Sequence, residues 1–139
     1  MMAKAGSMYA TGDRAGAVEL FARAVAGDGF RETFDRTLPP GYFERWVEAA
    51  DTMFQNDGPG LMSWTFSAAE AARIKQPFLN VTAASTGTDV GAVYGALRSW
   101  VPDAENVELP DATHCMLQSN PKGAAELLAD FFTRHPLRA

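Results

Sequence analysis

The chain has 139 residues, 47% hydrophobic and 21% charged, which suits one folded domain and excludes an intrinsically disordered chain. Its formal net charge of −5 argues against a nucleic-acid partner. No apolar run approaches a membrane span, the amino terminus lacks the apolar core of a signal peptide, and Cys115 is the sole cysteine, so a cytoplasmic chain with no intrachain disulfide is expected.

Residues 1–72 read as helices only. Asp13 caps a predicted helix running to about Ala26, with Val18, Leu20, Phe21, Ala24 and Val25 on its apolar face and Gly27 and Gly29 beyond it. Phe30, Phe34 and Leu38 stand four apart and predict a short second helix, stopped by Pro39-Pro40. Tyr42, Phe43, Trp46, Val47, Ala50, Met53 and Phe54 then follow the i, i+3, i+4, i+7 spacing of an amphipathic helix. Asn56-Asp57-Gly58-Pro59-Gly60 is expected to break it, and Leu61–Phe66 reads as a short turn or helix. Ser67 and Glu70 form a capping-box pattern.

The period changes at Pro77. Residues 78–83 have the length and β-branched content of a strand, and a loop of small residues follows. Val90, Val93, Leu97 and Trp100 mark a helix face closed by Pro102, and residues 105–109 read as a second strand. Pro110 has no N–H to give a ladder, so pairing should stop there. Ser119 or Asn120 is the expected cap of a last helix, with Pro121 in its first turn and Leu127, Leu128, Phe131 and Phe132 on its apolar face. Strand, helix, strand, helix implies two parallel strands. His114 then falls on a short loop beyond the carboxyl end of a strand, where open α/β sheets bind ligands.

The run Leu109-Pro110, Asp111-Ala112-Thr113, His114, Asn120-Pro121 resembles the histidine loop of the α/β-hydrolase family. Arg73-Ile74-Lys75-Gln76-Pro77-Phe78-Leu79-Asn80-Val81 resembles that family's return from lid to sheet. The resemblance implies an α/β fold with a helical lid-like region, residues 1–74, followed by the carboxy-terminal β-α-β-α part of a hydrolase core, residues 75–139. It makes His114 the general base of an acyl transfer, a role suited to an imidazole titrating near neutrality. The implied triad acid is Asp89, the one acid in the loop after the first strand; its other reading is a helix cap or first-turn acid. The lid resemblance also places Trp46, Phe54 and Trp64 in an apolar substrate pocket, although helix-core packing accounts for the same spacing.

The family's G-x-S-x-G nucleophile elbow does not occur in the chain. Ser85 lies between a strand and a helix but lacks the first glycine of an elbow, and reads as a turn residue. Cys115 adjoins His114 in sequence and reads as a small buried thiol. Asp111 could orient His114 or simply face water. His114 and His135 are the only histidines, with no metal-ligand spacing, so no metal or cofactor is expected. Gly12–Phe21 resembles one helix of a tetratricopeptide repeat, without a second copy. Two function classes follow: a hydrolase part that provides lid and histidine but not the nucleophile, and a non-catalytic module that binds an apolar ligand or a protein. Expected partners are a small apolar substrate or ligand and either a second copy of the chain or a complementing amino-terminal half, with no nucleic acid and no membrane.

Overall fold

The computed structural model describes residues 2–85 and 88–136, without the side chains of Thr88, Asp89 and Val90. It is a mixed helix-and-strand structure that divides into two compact units, Met1–Thr65 and Phe66–Ala139. Among the described residues no helix is long and apolar enough to cross a membrane.

The first unit is helical. Helix α1, Met2–Ala10, precedes the first helix expected from the sequence. Helix α2, Arg14–Ala26, begins where Asp13 accepts a hydrogen bond from the Gly16 amide and ends at Gly27, whose φ of 84° suits glycine. Ala5 of α1 and Ala17, Val18 and Ala22 of α2 are fully buried, small side chains that let the two helices approach closely. Helix α3, Phe30–Thr37, buries Phe30 and Phe34.

The predicted helix over Tyr42–Phe54 is not one uniform element. Helix α4, Tyr42–Glu48, gives way to a π-helical turn, Thr52–Asp57, and helix α5, Gly58–Ser63, follows without a break. The Asn56–Gly60 run therefore changes the winding instead of ending it. A proline in an α-helix clashes with the carbonyl four residues back, and a widened turn relieves this. The Gly58 amide reaches back five residues to the Met53 carbonyl, and Pro59 falls in the first turn of α5, where no N–H is needed. A Cβ on Gly58 would meet that Met53 carbonyl at 3.0 Å, which explains a glycine there.

In the second unit, helix α6, Ala68–Ala71, carries the expected capping box: Ser67 Oγ accepts from the Glu70 amide and the Glu70 carboxylate accepts from the Ser67 amide at 2.8 Å. Strand β1, Leu79–Ser85, pairs in parallel with β2, Glu105–Thr113, and helix α7, Thr88–Trp100, crosses between them. Register is regular from Leu79↔Glu105 to Ala83↔Leu109 and resumes only at Ser85↔Thr113. The expected stop at Pro110 is thus an interruption. Pro110, Asp111 and Ala112 bulge against Ala84, with Asp111 at a φ of 53°, and the strand recovers its partner afterwards.

One sheet face carries Val81, Ala83, Leu109 and Ala112, packed with Met116 of helix α8, Met116–Ser119, and Ala124 of helix α9, Pro121–Arg134. On the other face Asn80, buried, donates from Nδ2 to Asn106 Oδ1 at 2.9 Å across the ladder, and α7 lies along β1. Two expected helix faces are rotated. Val93 is exposed, as are Leu128 and Phe132, while Tyr94, Leu97 and Trp100 of α7 are half-buried and Ala124 and Phe131 of α9 are buried.

The amino end of β2 is pinned to the end of α9. Glu105 accepts from Arg134 at 2.8 Å, with a second oxygen 2.7 Å from the same guanidinium, and lies 2.6 Å from His135 Nε2. The Arg134 guanidinium first, and His135 second, hold the Glu105 carboxyl down to about 2, well below the usual carboxylate range. A carboxyl depressed by folding stabilises the folded state above its unfolded pKa and ceases to as pH falls through its folded one. Thermal melts of the parent and Glu105→Gln should therefore differ at neutral pH, with the parent more stable, and the gap should close between the ordinary carboxylate value and about 2. Because the pair is partly exposed the gap should also shrink with added salt. A pH-independent gap would mean that Glu105 acts through packing alone.

Candidate functional site

The carboxyl ends of the two strands gather the residues of interest. β2 ends at Thr113, His114 and Cys115 form a bend, and α8 makes a single turn before α9 begins. This bend is tied down on both sides. The Thr113 amide donates to Ser119 Oγ at 3.0 Å, and Ser119 Oγ donates to the Cys115 carbonyl at 3.0 Å. The Asn120 side chain donates from Nδ2 to the Pro110 carbonyl at 3.0 Å and accepts at Oδ1 from the Gly123 amide at 3.0 Å. Asn120, of the two candidates, is therefore the cap of α9; Ser119 closes the histidine bend instead.

Each of these bonds has a sequence cause. Proline at 110 leaves a carbonyl in an interrupted ladder, which needs a donor from outside the sheet. Asn120, followed by Pro121, provides both that donor and the acceptor for an otherwise orphaned helix amide. A Cβ on Gly123 would lie 2.8 Å from Asn120 Nδ2, so only glycine lets the side chain fold over that amide.

His114 is half-buried, and its Nδ1 lies 3.4 Å from the Tyr94 hydroxyl on α7. Sequence reasoning passed over Tyr94 because its partner is 20 residues away and no local pattern joins them. Burial raises the Tyr94 pKa, so the phenol stays neutral at physiological pH. Burial also pushes the Cys115 thiol up to about 11, which leaves almost no thiolate to act as a nucleophile. Asp111 is exposed on the bulge. The Asp89 backbone lies in the first turn of α7, as a helix-start acid would, but its side chain is outside the described residues.

Ser85, the last residue of β1, is exposed and registers with Thr113, one position before His114. It therefore shares a sheet end with the histidine, at the terminus of its strand. Tyr94 also lines a cleft of about 240 Å³ with Thr82, Ala83, Gly91, Gly95, Arg98 and Glu108. The larger cleft of about 520 Å³ lies by Gln76, Phe131, Phe132 and His135, at the end of α9 where Glu105 pairs. Among the described residues no three His, Cys, Asp or Glu side chains converge as a metal site requires.

The three residues assigned to an apolar pocket occupy separate settings. Trp46 packs among Phe21, Phe34 and Tyr42, with ring centroids 6.0–6.5 Å apart. Phe54 stacks on Tyr9 at 4.9 Å. Trp64 is 64% exposed just beyond α5, near the equally exposed Leu61 and Met62.

In comparisons with known proteins, no protein-family model, no curated protein and no solved structure matches this chain.

If Asn120 holds the histidine bend as described, Asn120→Ala should cost about 1–3 kcal/mol in urea unfolding, a lost cap plus an orphaned Pro110 carbonyl. Asn120→Asp keeps the cap acceptor but sets a carboxylate oxygen against the Pro110 carbonyl, so it should not restore the parent's stability. An alanine variant as stable as the parent would contradict this role.

Proposed function

We propose that this chain provides the cap helices and the catalytic histidine of an α/β-hydrolase-type centre that performs acyl transfer on a small apolar substrate. The observation that carries this reading is the placement of His114: directly after the carboxyl end of a parallel strand, half-buried, on a bend fastened at Thr113, Pro110 and Asn120. A base must be held rigidly to take a proton from a nucleophile in a fixed direction. In this reading His114 is the general base, Asp89 is the candidate acid, and the nucleophile and oxyanion donors come from outside these residues.

The same reading calls for association. Among the described residues the sheet has two strands, and a two-stranded parallel sheet presents two edges to which further strands can add. A second copy of the chain, joined through a strand edge or the apolar helices around Trp46 and Phe54, would extend or cover it; a complementing amino-terminal half would do so too. The alternative, a non-catalytic interaction module, has one observation in its favour: Leu61, Met62 and Trp64 are 69%, 77% and 64% exposed within four residues, the kind of apolar patch that partners cover.

The isolated chain should not turn over activated short-chain esters. Turnover that Ser85→Ala abolished would instead put the nucleophile within this chain. Adding a polypeptide that carries G-x-S-x-G, sought among the products of neighbouring coding regions, should bring activity. His114→Ala should then lower it by about 10²–10⁴-fold. A complemented His114→Ala protein working at the parent rate would sink the proposal. Light scattering at micromolar and lower concentrations should report a dimer mass. A monomer across that range, with concentration-independent unfolding, would contradict association of the chain with itself.

A further inference from the structure

The hydroxyl of Tyr94 and the ring of His114 meet at one defined atom, Nδ1, at 3.4 Å. Both side chains are half-buried, and they come from different elements of one unit, α7 and the bend after β2. A neutral imidazole has one donor and one acceptor nitrogen, so whatever occupies Nδ1 decides which form the ring takes. A phenol is a much stronger acid than a neutral imidazole N–H, and the imidazole lone pair is a much better acceptor than phenolic oxygen. The favoured direction is therefore O–H to Nδ1. Asp111, the nearest acid in sequence, is exposed on the bulge. Gly91 and Gly95 line the cleft beside Tyr94, and a Cβ on either would meet nothing within 4 Å, so the cleft has room beside the phenol.

We propose that Tyr94 is the positioning residue of His114: its hydroxyl donates to Nδ1, fixes the plane of the ring and places the imidazole proton on Nε2. In this arrangement His114 presents an N–H, not a lone pair, at Nε2. The ring can donate a hydrogen bond but cannot accept a proton at Nε2. Base action requires the other tautomer, in which Nε2 gives its proton to solvent, Nδ1 gains one, and an acceptor receives the new Nδ1–H. The phenolic oxygen becomes that acceptor if its own O–H rotates away, and an incoming carboxylate serves as well. This consequence rests on the general-base reading of His114. Given that reading, the chain alone is held in the resting proton arrangement, and whatever completes the centre must reset Nδ1.

The tautomer can be read directly from the ring nitrogen shifts of the ¹⁵N-labelled full chain at about pH 8.5, well above the ordinary imidazole pKa. His114→Gln assigns the signals by their loss, and free N-acetylhistidine in the same buffer gives the reference ratio. The parent should be more fully Nε2-protonated than the reference, and Tyr94→Phe should return it to the reference ratio with an unchanged circular dichroism spectrum. A parent at the reference ratio, a parent enriched in the Nδ1–H form, or a ratio that Tyr94→Phe leaves unchanged would each overturn the proposal. If Tyr94→Phe does not fold, the parent's own ratio decides. The measurement uses no substrate or partner, so its failure leaves the acyl-transfer reading intact, and a failed complementation leaves the tautomer result intact.

Discussion

Asn120 uses both ends of its amide, and the geometry around His114 depends on it. Its Nδ2 holds the Pro110 carbonyl where the sheet ladder is interrupted, and its Oδ1 holds the Gly123 amide where α9 starts. The strand end and the helix start are thereby fixed to one side chain, with the histidine bend enclosed between them. Ser119 adds the inner tie to Thr113. Without these bonds, a proline, an Asp at positive φ and a one-turn helix would make a loose connection. With them, the Thr113 amide and the Pro110 and Cys115 carbonyls have partners, and the imidazole projects from a defined position.

The rest of the second unit serves that position. Ala83, Leu109, Ala112 and Ala124 pack closely under the bulge, and Met116 fills the space beside them. The small residues matter because α9 must approach the sheet closely for Asn120 to reach Pro110. At the opposite end of β2, Glu105 fastens the far terminus of α9 through Arg134 and His135. Helix and strand are therefore clamped at both ends, by a neutral amide near the histidine and by an ion pair away from it.

Local signals in the sequence were readable and distant ones were not. The Asp13 cap, the Ser67–Glu70 capping box and the start of α9 all rest on neighbours within a few residues, and all formed; the parallel strand pair, also expected, follows from the strand–helix–strand order. Pro110 takes no place in the ladder, as its missing N–H implies, yet the strand resumes at Thr113, with Ser119 and Asn120 supplying partners to the interrupted stretch. The Asn56–Gly60 run has the composition of a helix breaker, but the winding widens to a π-turn and continues into α5. Val93, Leu128 and Phe132 fit an apolar period and remain exposed beside a sheet of two strands. At the site, the place of His114 followed from strand and cap signals, whereas its contact with Tyr94 needed the chain folded.

The central claim is that the histidine bend is a fixed structure and not a mobile loop. Amide hydrogen exchange at Thr113 and Gly123 tests it most directly, since each of these amides donates to a side chain of the bend: Ser119 and Asn120 respectively. The account predicts that both exchange slowly, with protection comparable to the regular part of the β1–β2 ladder. Exchange of Thr113 and Gly123 at the rate of an unprotected chain, while the ladder up to Leu109 stays protected, would contradict it.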